Sequence, residues 1–419
     1  MSTSSPLLII GNGGAAVHAI QAARVRGHQG RIQALSDIDG PTFSPMLSPY
    51  YLAGEIPYDR CFPFGKEFYK RYEVNCRFAS PVEALDPLNK EAYLQGGERL
   101  PYDRCLIATG AEPLIPEVPG LTESRHVFVL RTPQETTRLS QALLGAKKSL
   151  VLGASLVGIK LADILVKRGI AVTVVDVADQ ILPYCAHGEC ASLLQDRIRK
   201  NGVDLCLGFT IEGAEEGLRE TKFYFNGGVT IEADLFLACT GIRPCLDIVK
   251  GTQVEVDEGV LVDDRMRTTV EDVYAAGDVS QGMNLLTGKR QLIGLWRNAC
   301  QQGRTAGFNM AGADVSYPGT IPHHISSFFG MTFVHLGDVK RQGTDVQIIS
   351  HQEPSKARYH LLVFNNGMLV GANLINDFHN AGRLMSTIVR RLDWGVYIEK
   401  LMRGTTDQEI NQILGALHA

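Results

Sequence analysis

Two stretches of this 419-residue chain repeat one local design. Leu7–Arg24 reads LLIIGNGGAAVHAIQAAR, and Ser149–Val166 reads SLVLGASLVGIKLADILV. Each runs from an apolar strand through a small-residue bend into a helix with small side chains on one face. A second apolar strand follows each copy, Arg31–Leu35 and Ala171–Val175, and the copies start 142 residues apart (149 minus 7). A strand, bend, helix and parallel strand bury the helix on a sheet. They also leave free backbone N–H groups at the helix N-terminus, where an anion can be held. Two such units imply two nucleotide-binding domains.

The bends differ in detail. Gly11-Asn12-Gly13-Gly14-Ala15-Ala16 fits G-x-G-x-x-A. The first glycine permits the turn, the second lets backbone approach a pyrophosphate, and Ala16 lets helix and strand pack closely. Such a bend can also merely connect a strand to a helix; its place between the two favours phosphate binding. The carboxylate for the first ribose falls to Asp37, at the end of the second strand, with Asp39 beyond it; the competing reading is a polar loop. The second bend is Gly153-Ala154-Ser155-Leu156-Val157-Gly158, with serine in place of the middle glycine, small enough to let a phosphate approach. Its second strand leads to Asp176, 18 residues past Gly158 (176 minus 158). A carboxylate there binds ribose hydroxyls and repels a 2′-phosphate, and Val177-Ala178-Asp179 supply no arginine, so NAD(H) is preferred over NADP(H). A solvated strand end is the plainer alternative.

A further signal follows each unit. Cys105–Pro113 (CLIATGAEP) and Leu237–Pro244 (LACTGIRP) read as buried strands ending in Thr-Gly and a proline turn. Thr269–Val279 reads as another strand, ending at Gly277-Asp278, and Leu295–Met310 as a helix with small residues spaced for close packing. Beyond about Pro318, Ser326–Val339 and Ala357–Leu374 alternate in polarity, Asn365-Asn366-Gly367 suggests a hairpin turn, and Asn380–Leu392 and Asp407–Leu417 read as helices. The fold class expected is α/β: two Rossmann-like three-layer nucleotide-binding domains plus a small α+β C-terminal domain.

Composition narrows the function classes. With 45% hydrophobic residues the chain can build real cores, and a net charge of −4 argues against a nucleic-acid partner. No apolar run reaches the ~20 residues of a membrane span. Met1–Pro6 lacks the basic start of a secretory signal, so a cytoplasmic location is expected. Nine cysteines, an odd number with no Cys-x-x-Cys pair, make a disulfide framework, a structural zinc or a chain-borne iron–sulfur cluster improbable, and no metal site is expected.

The paired units, the two Thr-Gly strands and the late Ala-Gly-Asp resemble the FAD-dependent pyridine nucleotide-disulfide oxidoreductase superfamily over about residues 5–315. Phe43–Gly54 (FSPMLSPYYLAG) and Leu295–Gly312 look most like its NADH-dependent rubredoxin, ferredoxin and nitrite reductase flavoproteins. The resemblance implies FAD on Gly11, Gly13, Gly14, Ala15, Ala16 and Asp37, with NAD on Gly153, Ser155, Leu156, Val157, Gly158 and Asp176. It implies that Thr109 and Gly110 lie against the FAD adenosine side, that Asp278 beside Gly277 binds the ribityl or pyrophosphate moiety, and that Val82 meets adenine through its backbone. Arg131 would sit near the flavin ring, and Gly241 would line the nicotinamide cleft. Structural roles compete for each, most for Arg131 and Val82. The domains expected are 1–118 with 245–317 for FAD, 119–244 for NAD, and 318–419 as a C-terminal interface domain.

Two departures from the family pattern sharpen the reading. The dithiol branch carries its redox cysteine in the segment matching Phe43–Tyr51; here Met46 is the nearest sulfur. Without a thiol beside the flavin, disulfide reduction and thiol-based peroxidase or oxidase cycles lose their second redox centre. Cys185 and Cys190 have the spacing of a redox pair but lie where the family has none, and His187 between them reads as a surface residue. The second departure is Lys160, where the family commonly has glutamate. It is expected either to tune the flavin electrostatically, favouring the anionic reduced form, or to pair with a carboxylate such as Glu55.

FAD and NAD(H) without a thiol or cluster leave the electrons needing another protein, so the expected partner is an iron–sulfur electron-transfer protein or subunit. Lys340, Arg341, Arg383, Arg390, Arg391, Lys400 and Arg403 could steer an acidic partner to the C-terminal domain, or could simply be solvated; the family uses this domain for homo- or hetero-oligomer contacts. In size and motif pattern the chain is similar to the flavin subunit of bacterial tungsten-dependent aldehyde oxidoreductases. The expected function is therefore that of an NAD-reducing flavin subunit in a multi-subunit (aldehyde) oxidoreductase. The alternatives are a standalone NADH:rubredoxin or ferredoxin reductase, and a flavoprotein with mainly an assembly role.

Overall fold

A computed structural model describes residues 6–122, 124–402 and 407–417. The chain divides into two compact units. One comprises residues 1–113, 130–138 and 242–320; the other comprises 114–129, 139–241 and 321–419.

In the first unit a five-stranded parallel sheet runs in the order Val273–Ala275, Arg104–Ile107, Leu7–Ile10, Ile32–Leu35, Val74–Arg77. Leu7–Ile10 is central and apolar at every position, as a strand covered on both faces must be, and all four residues are buried. The helix Gly14–Val25 packs beside Trp296–Met310 in direct backbone contact. A Cβ on Gly303 or Gly307 would lie 2.0 or 2.1 Å from the carbonyl oxygen of Ala15 or Ala19. The small-residue spacing expected for that helix serves this crossing.

The second unit repeats the sheet plan. Its parallel sheet runs Val203–Leu207, Ala171–Asp176, Lys148–Leu152, Leu235–Ala238, Val127–Phe128. Both sheets are joined at the bend in the same way. Gly11 N–H donates to Leu35 O at 2.8 Å, and Gly153 N–H donates to Val175 O at 2.7 Å. Each copy also carries an insert that its sequence pattern did not announce, a three-stranded antiparallel sheet placed just before the Thr-Gly strand. These inserts are 82–86, 91–94 and 99–101 in the first unit, and 211–216, 221–225 and 229–233 in the second.

The second unit also holds a five-stranded antiparallel sheet in the order His323–Phe328, Met331–Gly337, Met368–Ile375, Arg358–Asn365, Val346–Glu353. Its hairpin turns at Asn366 and Gly367, with φ of 49° and 75°. Two successive left-handed residues are what a type I′ turn requires, so the Asn-Gly signal reads true. The helix Ala381–Arg390 lies within the expected segment, and Asp407–Leu417 matches its expected limits. Gly395–Met402, Gly188–Lys200, Pro133–Ala142 and the strand Val346–Glu353 are additions to the expected elements. The expected strand at 269–279 shrinks to Val273–Ala275. Met1–Ser5 and Arg403 lie outside the described residues. Among the described residues no helix is long and apolar enough to cross a membrane.

Inside the antiparallel sheet, His324 and His335 pair across strands, with stacked rings 5.8 Å apart at their centroids. Burial, with the neighbouring His324 second, lowers His335 to a pKa of about 3. An imidazole kept neutral in the fold but free to protonate when unfolded stabilises the fold fully only above its unfolded value, 6.5. Stability is therefore lost as the pH falls from there toward 3. At pH 5 His335 alone should cost about 2 kcal/mol relative to neutral pH. His335→Phe should flatten the acid limb of the urea-midpoint profile; an unchanged slope would show that this ring does not set it.

Candidate functional site

The first bend is shaped by backbone crowding on one side and open space on the other. Gly11 has φ of 118°, and a Cβ there would lie 2.0 Å from the Ala108 carbonyl oxygen. Only glycine fits such a position. Gly13, in extended conformation, caps the helix Gly14–Val25, and a Cβ on it would meet nothing within 4 Å. Gly14, Ala15 and Ala16 are buried in the helix's first turn. The backbone at Gly13, just ahead of the helix, is thus left uncovered on the side where its Cβ would stand, which leaves room for an anion at the helix start.

The second bend repeats this geometry with a serine variation. Gly153 has φ of 106°, and its Cβ would lie 2.4 Å from Cys239 O. Ser155 caps the helix Leu156–Lys167: its Oγ accepts from Gly158 N–H at 3.3 Å and donates to Cys239 O at 3.1 Å. The serine therefore does more than stay small; it satisfies one of the orphan donors of the helix. A Cβ on Gly158 would lie 2.0 Å from Gly153 O, so this glycine is needed for close packing of helix on strand. Leu156 is half-buried, whereas Val157 is exposed.

The two strand-end carboxylates behave differently. Asp176 accepts from Ala154 N–H at 2.6 Å through Oδ2 and from Ala178 N–H at 2.8 Å through Oδ1. It clamps the bend while holding negative charge beside it. Asp37 is exposed and makes no hydrogen bond or ion pair among the described residues.

Other expected residues of the first unit gather around Asp278. Arg131 Nη2 donates to Asp278 Oδ2 at 2.7 Å, with both side chains mostly buried. A Cβ on Gly110 would lie 3.6 Å from Arg131 Nη2. Gly277 has φ of 88° and donates its N–H to Gln302 Oε1 at 2.8 Å. Arg131 is itself fixed by a capping box on the helix Pro133–Ala142. Glu135 Oε2 accepts from Arg131 and Thr132 N–H at 2.8 Å, and Glu135 N–H donates to Thr132 Oγ1 at 3.2 Å. Thr109 donates to Cys245 O at 2.9 Å, and Gly110 O accepts from Cys245 N–H. Val82 is half-buried at the start of its strand, and Gly241, exposed with φ of 121°, bounds the strand Ile242–Pro244.

The segment Phe43–Gly54 is braced by aromatic rings instead of a disulfide. Phe43, Phe62, Tyr58 and Tyr51 form a chain of contacts, with centroids 5.4, 5.3 and 5.0 Å apart in that order. Met46 is exposed within it. All nine cysteines are free. Burial pushes Cys185 up to about 12 and Cys190 higher still, so neither is a ready thiolate. His187, expected at the surface, is half-buried; its N–H donates to Asn373 Oδ1 at 2.8 Å, because the C-terminal strand Met368–Ile375 packs beside it. Lys160 is buried, and its ammonium donates to Ser327 O at 3.0 Å. Gln302, Glu135 and the partners of Asn12 described below carry no sequence signal apart from the T-x-x-E of the capping box.

A family model for pyridine nucleotide-disulphide oxidoreductases matches residues 5–303, more than half of the chain. The chain belongs to that family. It is a FAD-dependent NAD(P)H oxidoreductase, and both bends fit the nucleotides such an enzyme binds. Subunit epsilon of the NADH-dependent phenylglyoxylate dehydrogenase of Aromatoleum evansii is 33% identical over 392 residues, covering 92% of each chain. The rubredoxin-NAD(+) reductase of Pseudomonas putida is 27% identical over 389 residues, covering 91% of this chain and 98% of its own. Among solved structures, putidaredoxin reductase in covalent complex with putidaredoxin superposes with a TM-score of 0.91 at 21% identity over the whole of both chains. The water-forming NADH oxidase of Lactobacillus brevis, bound to NADH, gives 0.88 at 22%, covering 98% of this chain and all of its own. Both likenesses bear on the fold.

Proposed function

We propose that this chain is the NAD-reducing flavin subunit of a multi-subunit oxidoreductase, passing electrons between an iron–sulfur partner and NAD(H) through FAD. FAD supplies the chemistry: it exchanges a hydride with a nicotinamide and single electrons with a cluster. The residues of this chain bind and orient. Gly11, Gly13 and the helix Gly14–Val25 would hold the FAD pyrophosphate, and Arg131 with Asp278 its central portion. Gly153, Ser155 and the helix Leu156–Lys167 would hold the NAD pyrophosphate, with Asp176 on the adenosine ribose. The functional boundaries that go with this are 1–118 with 245–317 for FAD, 119–244 for NAD, and 318–419 for partner contact.

The observation that carries the reading is the end-to-end likeness to a chain named as one subunit of an NADH-dependent dehydrogenase. The lack of any cysteine in Phe43–Tyr51 agrees with it, since electrons must leave the flavin by another route. We place an aldehyde oxidoreductase upstream on motif pattern alone. Lys340, Arg383, Arg390, Arg391 and Lys400 are exposed and could meet an acidic partner; Arg341 is paired with Asp338 at 3.3 Å. The likeness to rubredoxin-NAD(+) reductase favours a second reading, a standalone reductase.

Purification from native extract separates these readings. The subunit reading expects a stable complex containing iron, whose NADH-driven dye reduction follows the flavin. Isolation as a free, fully active reductase would replace it with the second reading, and an NADH-inactive flavoprotein would leave an assembly role.

Asp176→Ala should raise the KM for NADH about tenfold or more while leaving NADPH less affected, because a ribose hydrogen bond and a charge repelling the 2′-phosphate go together. An unchanged NADH/NADPH preference would remove Asp176 from nucleotide recognition. Lys160 we read as a cation favouring anionic reduced flavin; Lys160→Met should then shift the flavin potential to more negative values, and no shift would end that reading.

A further inference from the structure

The first bend is anchored differently from the second. In the second, the residue after the leading glycine is Ala154, and Asp176 holds it by its backbone N–H at 2.6 Å. The position matching Asp176 in the first unit is Ser36, whose Oγ accepts from Ile38 N–H at 3.1 Å as Asp176 accepts from Ala178, and the strand-end carboxylate one residue on, Asp37, makes no bond to the bend. The residue matching Ala154, Asn12, is instead held by its own side chain. Asn12 Oδ1 accepts from Tyr69 Oη at 2.7 Å and from Thr42 Oγ1 at 3.2 Å, while Nδ2 donates to Gly40 O at 3.2 Å. Tyr69 Oη in turn accepts from Thr42 N–H at 3.2 Å. Thr42 is fully buried and Tyr69 is 5% exposed, so these bonds are shielded from water and costly to lose.

The two anchoring segments, at Gly40–Thr42 and at Tyr69, lie far from the bend in sequence. Tyr69 sits on the helix Lys66–Arg71, with its ring edge-on to Phe68 and Phe78 at 5.3 and 5.5 Å. Thr42 immediately precedes the segment Phe43–Gly54. The flanking glycines need no such help, since backbone contacts fix Gly11 and Gly13 begins the helix. Asn12 lies between them, and its side chain ties the bend to Gly40, Thr42 and Tyr69.

We propose that Tyr69, acting through Asn12 and together with Thr42, is a positioning residue for the FAD pyrophosphate: it holds the first bend with its N–H groups aimed at the phosphates, the duty that Asp176 performs in the second bend. This division of labour leaves Asp37 unengaged and free to meet the ribose. The proposal rests on the assignment of FAD to the first bend.

The test uses the full chain, stripped of flavin and titrated with FAD while flavin fluorescence is followed. Tyr69→Phe removes the shielded bonds of Tyr69 Oη to Asn12 and Thr42 and should raise the FAD dissociation constant about five- to tenfold. Any fall in the apoprotein's thermal midpoint should be too small to account for the lost affinity, because the ring packing is kept. Asn12→Ala should weaken FAD at least as much, and adding Tyr69→Phe to it should cost nothing further, since the path from Tyr69 to the bend is already cut. A Tyr69→Phe protein with the parent's FAD affinity would overturn the proposal. So would a penalty that persists in full in the Asn12→Ala background, or one matched by lost apoprotein stability. If Tyr69→Phe does not fold, Thr42→Val carries the same test, because Thr42 Oγ1 reaches Asn12 directly. A parent apoprotein that binds no FAD would instead refute the assignment of the bend.

Discussion

The architecture turns on a carbonyl oxygen standing where a side chain would otherwise begin. At Gly11 that oxygen belongs to Ala108, at Gly153 to Cys239, each the first residue beyond the Thr-Gly strand beside the bend. Contact at 2.0 to 2.4 Å from an ideal Cβ position leaves no room even for alanine. The central strand, the Thr-Gly strand beside it and the start of the helix are thereby locked into one corner. Because the crowding is steric, it fixes the shape of each bend by itself, with no ligand needed to impose it.

In the first unit a second set of backbone contacts extends that corner. Gly303 and Gly307 bring the helix Trp296–Met310 onto the carbonyls of Ala15 and Ala19, and Gly277 sits against Ala15 and Ala299. Gln302, on the same helix, accepts the N–H of Gly277, the residue before Asp278. Bend, helix pair and Asp278 form a continuous frame made largely of backbone, and Arg131 joins it through a carboxylate contact that its own capping box steadies. Large side chains play little part here; close approach of small residues does the positioning.

What could be read from the amino acids follows from this. Strands covered on both faces, glycine bends and small-residue helices leave strong patterns, so the paired units, the Thr-Gly strands and the Asn366-Gly367 turn were legible. The three-stranded inserts were not. Their strands are short and partly exposed, as in Val82–Asp86, so alternation has little length in which to show. Val346–Glu353 pairs along one edge only and is largely exposed, which lets polar residues through. The anchoring of Asn12 was hidden for another reason: its partner Tyr69 is 57 residues away, and no spacing rule connects a polar side chain to a hydroxyl brought near only by folding. Ser155 read as a tolerated glycine replacement because its capping bonds depend on a helix start that sequence places only within a residue or two.

The two parallel sheets fill their fifth place from opposite directions along the chain. In one, Val127–Phe128 precedes the strands it joins; in the other, Val273–Ala275 comes 166 residues after Arg104–Ile107 ends (273 minus 107). During synthesis the later-encoded sheet has all its strands once residue 238 has emerged, while the earlier one waits with an open edge. At ribosomal speeds of about 5–20 residues per second that wait lasts roughly 8–33 s. A nascent chain must shield the row of unpaired groups on Arg104–Ile107 throughout, so an arrest of translation inside the middle segment would leave the first unit exposed to strand addition while its neighbour was already complete.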